Sequence, residues 1–150
     1  MHLRTLLFGL QGRINRAQYW LATLVALGLL AVCLLIAVAV SGERIDDSPA
    51  SQAVLLIGVS VLGWISLATA AKRLHDHNKG PWWLMLFFVV PVLLDTAASL
   101  IGNDGAGLVL GGVSLAIGLW AFVKLGCMKG TDGPNDYGPD PLASPPITRV

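Results

Sequence analysis

A run of 26 residues, from Ala17 to Gly42, carries no formal charge, and a second run of 24, from Ser48 to Ala71, repeats the pattern. Each exceeds the roughly 20 apolar residues that a helix needs to cross a bilayer core of about 30 Å. Pro81 to Ile101 is interrupted by Asp95 alone, and Gly105 to Val123 is uncharged. Backbone placed in hydrocarbon must close its hydrogen bonds within each segment, so four helices are expected, over about 18–41, 53–71, 81–101 and 106–125. Charged residues make up 13% of the chain, against about 25% in a soluble domain, which is too little polar surface to clothe four such runs in water. The expected fold class is an all-α integral membrane protein. Four transmembrane helices follow a short amphipathic N-terminal helix and precede an irregular Pro/Gly-rich tail, with residues 1–129 forming the membrane domain and 130–150 an extended cytoplasmic tail.

The few charges are sorted. Arg4, Arg13 and Arg16 precede the first span, Lys72, Arg73 and Lys79 follow the second, and Lys124, Lys129 and Arg149 follow the fourth. Arg44 lies in the first loop among Glu43, Asp46 and Asp47, and the third loop offers Asp104. The positive-inside rule then places both termini in the cytoplasm. Tyr19, Trp20, Trp82, Trp83 and Trp120 fall where spans meet the same headgroup layer, the depth that amphipathic rings prefer; Trp64, near the middle of its span, does not. The first apolar run is longer than the 7–15 residues of a cleavable signal core, so it is expected to remain as an anchor. A net charge of +1 provides no field for nucleic acid, and no nucleic-acid partner is expected.

Leu3, Leu6, Leu7, Leu10 and Ile14 recur at helical spacing and suggest a helix on the inner leaflet, weakened by Gly9 and Gly12. Arg13 and Arg16 would then sit among lipid phosphates, as topology-setting charges or as a headgroup site. The densest polar segment runs from Lys72 to Trp83 and contains Arg73-Leu74-His75-Asp76, with Trp82-Trp83 six residues after the Asp. This segment resembles the central signature of the DUF805 family of small bacterial inner-membrane proteins. Phe8, Gly12-Arg13, Arg16, Tyr19 and Trp20 are similar to that family's N-terminal pattern, and Gly130-Thr131-Asp132-Gly133-Pro134-Asn135-Asp136-Tyr137-Gly138-Pro139-Asp140-Pro141 to its C-terminal one. Asn78 and Gly80-Pro81 replace the family's Gly and Ser-Gly. The resemblance implies a cytoplasm-facing polar cluster and supplies no activity, since the family is one of unknown function.

His75, Asp76 and His77 make a weak metal motif without a second spaced pair, and no nucleophile elbow or phosphate loop accompanies them, so neither a metal nor a cofactor is expected. Arg73 and Asp76, at i and i+3, pair on one helix face in the simplest reading, with Asn78 and Gly80 ending the helix and Pro81 starting the next. Asp95 lies about 21 Å beyond Pro81 at 1.5 Å per residue, near the depth of Ser60 and Ser114. It is expected to face the bundle and bond one of those hydroxyls, or else to serve transport. Pro91, one turn earlier, leaves the Phe87 carbonyl without its donor. Gly107 and Gly111 permit close helix approach, within one chain or between copies. Asp132, Asp136 and Asp140 in the tail are expected to form turns and to dock on the basic loop. Three functions stay open: a scaffold or regulator binding a protein partner or anionic lipid through Arg13, Arg16, Trp20, Arg73, His75, Asp76, Trp82 and Trp83; a transport component using Asp95; and a membrane enzyme using His75 and Asp76.

Overall fold

The computed structural model describes residues 2–41, 48–102 and 105–143. Glu43, Arg44, Asp46, Asp47, Asp104 and Arg149, which the charge sorting used, lie outside the described residues. Among the described residues all regular structure is helical. A short helix α1 (Leu3–Phe8) precedes four helices long and apolar enough to cross a membrane: α2 (Arg16–Ser41), α3 (Pro49–Asp76), α4 (Trp82–Ile101) and α5 (Gly105–Cys127). All four expected spans are present, and the main difference is that α3 continues past residue 71 to Asp76. In the most apolar stretch of each helix only 6% to 28% of residues are buried, so most of the apolar surface faces outward, as a hydrocarbon solvent allows and water does not.

The chain divides into two compact units, and α3 contributes to both. The first comprises Met1–Leu10 and Ala17–Thr69. Its α1 is only six residues long because Gly9 stops it, with the Gly9 N–H donating to the Thr5 carbonyl. The expected stripe is therefore cut: Leu6 and Leu7 are buried, Leu3 and Leu10 are exposed, and Ile14 lies outside any helix. The Trp64 indole N–H donates to the Phe8 carbonyl at 3.4 Å, giving this mid-span ring a polar partner. Between α2 and α3, buried Ser51 donates to the Ala37 carbonyl at 3.1 Å. A Cβ on Gly58 would lie 2.9 Å from Cys33 Cβ and Sγ, so the absence of a side chain lets the two helices approach there.

The second unit comprises Gln11–Arg16 and Ala70–Val150. The end of α3 is a Schellman turn: Asn78 adopts φ 53°, its N–H donates to the His75 carbonyl at 3.0 Å, and the Lys79 N–H reaches the Leu74 carbonyl at 2.9 Å. Asn serves where Gly is commoner because its short polar side chain tolerates the left-handed region. Helix α4 absorbs Pro91 with a π-helical turn over Met85–Val89, in which the Val90 N–H reaches back to the Met85 carbonyl. A second π turn, Val123–Cys127, ends α5. Trp83, Phe87 and Trp120 form an aromatic cluster with ring centroids 5.4–5.7 Å apart. Gly107 is buried, and a Cβ on it would overlap the Gly102 carbonyl, whereas a Cβ on Gly111 would meet open space.

Candidate functional site

The three segments that carry the family resemblance meet in the second unit. Asp76, in the last turn of α3, receives Arg13 Nε and Nη2 on Oδ1 at 3.1 and 3.0 Å, and Arg73 Nη1 on Oδ2. The remaining Arg13 donors go to the tail: Nη1 to the carbonyls of Gly133 (2.7 Å) and Gly138 (3.2 Å), Nη2 to that of Thr131 (2.7 Å). These contacts use all five N–H groups of the guanidinium. Arg73 donates Nε to the Leu125 carbonyl at 2.8 Å, Nη1 to that of Ile14 at 3.3 Å and Nη2 to that of Met128. Arg16 donates to the Cys127 carbonyl at 3.1 Å. The last carbonyls of α5, which a helix cannot satisfy internally, are thus taken by cations at the negative end of its dipole.

The tail binds back through Thr131, whose N–H and Oγ1 both donate to the Asp76 carbonyl at 2.8 and 2.9 Å. Asn135 Nδ2 donates to the His75 carbonyl at 2.9 Å, and the Tyr137 ring stacks on His75 at 4.0 Å, 5° from parallel. His75 Nδ1 donates to the Gly12 carbonyl at 3.2 Å. Gly130 has no room for a side chain, because a Cβ would overlap the Asp76 carboxylate. Asn135 and Gly138 pair reciprocally, and Asp140 accepts the N–H groups of Gly133 and Leu142, which holds its carboxyl below the usual range.

Two buried guanidiniums share one buried carboxylate. Arg13 is 7% exposed, Arg73 0% and Asp76 4%, and at such burial an unpaired partner would be strongly destabilising. His77 sits beside this group at 8% exposure, and its Nε2 has no hydrogen-bond partner among the described residues. Burial, followed by the charges of Arg73 and Lys124, pushes its pKa down to about 4.

Arg13, Arg73, His75 and Asp76, expected as exposed groups offered to lipid or a partner, lie together in this unit. The structure places both guanidiniums inside, on protein acceptors, because an arginine so deeply buried must satisfy every donor. Arg16 and Trp82 are exposed, Trp82 at 81%; Trp83 lies in the aromatic cluster with Lys79 Nζ 5.4 Å from its ring centroid. Trp20, exposed, packs edge-on to Tyr19 in the first unit. Asp95 is exposed on α4, and Ser114 and Ser60 donate instead to the carbonyls of Pro91 and Leu56. A depth argument fixes how far along a helix a residue lies, not which way it turns. The tail does dock on the basic segment, but through backbone carbonyls, Thr131 and Asn135; Asp132 pairs instead with exposed Lys129 at 2.6 Å. Thr131, Asn135 and Gly130 belong to the quoted C-terminal pattern, and their polar and glycine character was the available signal.

Among the described residues no three His, Cys, Asp or Glu side chains converge as metal ligands. The family model described as protein of unknown function, DUF805, matches residues 7–139. The uncharacterized protein YiiR of Escherichia coli (strain K12) is 28% identical over 140 residues, covering 93% of this chain and 90% of that protein. Inner membrane protein YhaH of the same strain is 26% identical over 137 residues, 91% and 90% of the two chains. Inner membrane protein YhaI is 27% identical over 138 residues, 89% and 86%. No solved structure matches the chain.

Proposed function

Since this chain belongs to the DUF805 family of proteins of unknown function, we propose a role from its geometry: a multi-pass inner-membrane scaffold or regulator that engages a protein partner through a folded cytoplasmic platform. One observation carries the reading. Segments 11–16, 70–78 and 124–143 are knitted by Arg13, Asp76 and Arg73 into one polar structure whose ionic groups are spent on holding it together. An active site would leave reactive groups facing a cleft, whereas both oxygens of Asp76 are occupied and His75 is bonded and stacked. What such a platform offers is its surface, and Arg16, Trp82 and Lys129 are exposed on it.

The inner-membrane location is supported by the names of YhaH and YhaI and by four helices of sufficient length. Cytoplasmic termini follow from the sorted basic residues. Trp20 supplies lipid contact at the headgroup level, and Gly111 leaves open space for a second copy.

Photo-crosslinking residues placed at Trp82 and Lys129 in native membranes should capture a discrete protein partner, and one placed at Asp95 should capture lipid or nothing. Identical products from all three positions would sink the reading. Orientation is tested with Cys33→Ser protein, in which a membrane-impermeant maleimide should label exposed Cys127 in inverted vesicles and not in intact spheroplasts.

A further inference from the structure

Arg13 has two edges. Its Nε and Nη2 face Asp76, while the fork made by Nη1 and Nη2, the geometry that grips carboxylate or phosphate oxygens in pairs, holds the carbonyls of Gly133 and Thr131, both at 2.7 Å. Gly138 adds a third carbonyl at 3.2 Å. Neutral oxygens thus occupy a place where an anion would bind more strongly. Beside Arg13, Arg73 binds the other oxygen of Asp76, so two guanidiniums lie at one carboxylate.

The segment that supplies these carbonyls is held by polar contacts. None of residues 130–143 is buried, and they are attached by hydrogen bonds to Arg13, Asp76 and His75, by the Tyr137 stack and by the exposed pair of Asp132 with Lys129. Lifting it would expose little apolar surface, and a segment of this kind opens at a small fraction of the global unfolding free energy. Exposed Arg16 adds attraction for an approaching anion, and Lys129, now paired with Asp132 of this segment at 2.6 Å, is released with it.

We propose that Arg13, backed by Arg73, is a latent phosphate-binding site, and that residues 130–143 are the strap that covers it. The carbonyls of Thr131, Gly133 and Gly138 stand where phosphate oxygens would bind, and an anionic phosphate displaces them. This deepens the platform reading by naming what the platform recognises, and depends on it only for the side of the membrane that the cluster faces. Two sources carry the required chemistry, an anionic phospholipid headgroup and free phosphate.

The test follows amide hydrogen exchange of the full-length protein in a maltoside detergent, which carries no phosphate. Short-chain phosphatidylglycerol, short-chain phosphatidylcholine and inorganic phosphate are added separately. Exchange at Thr131, whose N–H is bonded outside the strap to the Asp76 carbonyl, should accelerate about tenfold with phosphatidylglycerol, the equivalent of one lost hydrogen bond, and remain unchanged with phosphatidylcholine, whose choline cancels the charge. Acceleration by inorganic phosphate as well would support the site and assign free phosphate as its ligand. Equal acceleration by both lipids, or none with any addition, overturns the proposal. Arg13→Lys keeps the charge without the fork and should abolish the response; a full response in that variant also overturns it. A strap that responds while Trp82 and Lys129 capture no partner would remove the scaffold reading and leave this one standing.

Discussion

Asp76 divides its carboxylate between a near and a distant arginine: Arg73, three residues before it, on one oxygen, and Arg13, 63 residues before it, on the other. The near pair is a product of helix geometry, since positions i and i+3 share a face. It holds the carboxylate in place for Arg13, whose other donors then gather the tail. Local order in α3 therefore prepares an attachment point between parts of the chain that are remote in sequence.

Asp76→Asn leaves two buried guanidiniums without a counter-charge and should destabilise the second unit by about 3–5 kcal/mol, read by denaturant unfolding in detergent. Combining it with Arg13→Gln should cost clearly less than the sum of the two single changes, because the two residues act through one contact. Additive losses would mean that the pair is not coupled.

Gly130→Ala places a methyl group against the Asp76 carboxylate and should cost about 1–3 kcal/mol, most of it in attachment of the tail. Limited proteolysis should then cut within residues 131–143 faster than in the unaltered protein. Unchanged protease resistance would show that the tail accommodates the methyl by a small shift.

His77 gives the second unit a specific acid sensitivity. Its folded pKa of about 4 lies below the ordinary 6.5, so between these values the unfolded chain takes up a proton that the folded chain refuses. Stability should be full above about pH 6.5, fall as pH drops toward 4, and show no further loss from this residue below that. In the His77→Asn variant this slope should disappear, whatever the variant's absolute stability. A slope that persists unchanged would assign the sensitivity to other groups.

Gly107→Ala and Gly111→Ala separate packing within the chain from association between chains. The first overlaps the Gly102 carbonyl and should lower the melting temperature by the equivalent of about 1–3 kcal/mol. The second points into open space and should be within about 0.5 kcal/mol of the parent. If Gly111→Ala instead shifts the mass of the detergent-solubilised particle, Gly111 lies in a contact between copies.

Much of this was legible in the residues. Three charge-free runs and a fourth broken only by Asp95 located all four long helices, because hydrocarbon leaves the backbone few alternatives. The Arg73 and Asp76 pair followed from spacing, the end of α3 from Asn78, and the break in α4 from Pro91. The reach of Arg13 was not legible, since its tail acceptors include the main-chain carbonyls of Thr131, Gly133 and Gly138, which have no side-chain signature. Nor was the fate of the guanidiniums. A basic residue beside a span serves a headgroup or a buried carboxylate equally well on charge alone, and only the position of the tail decides.

The distance along the chain between Arg13 and Thr131, 118 positions, sets an order of events during synthesis. Arg13 leaves the ribosome 118 residues before Thr131, so it waits for its tail acceptors while the intervening helices are made. Until Thr131 emerges, Arg13 has Asp76 but lacks its tail acceptors, and α4 and α5 are synthesised in that interval. Closure therefore follows the synthesis of both later helices, and a chain truncated before Thr131 would leave uncovered an arginine that the finished fold keeps buried.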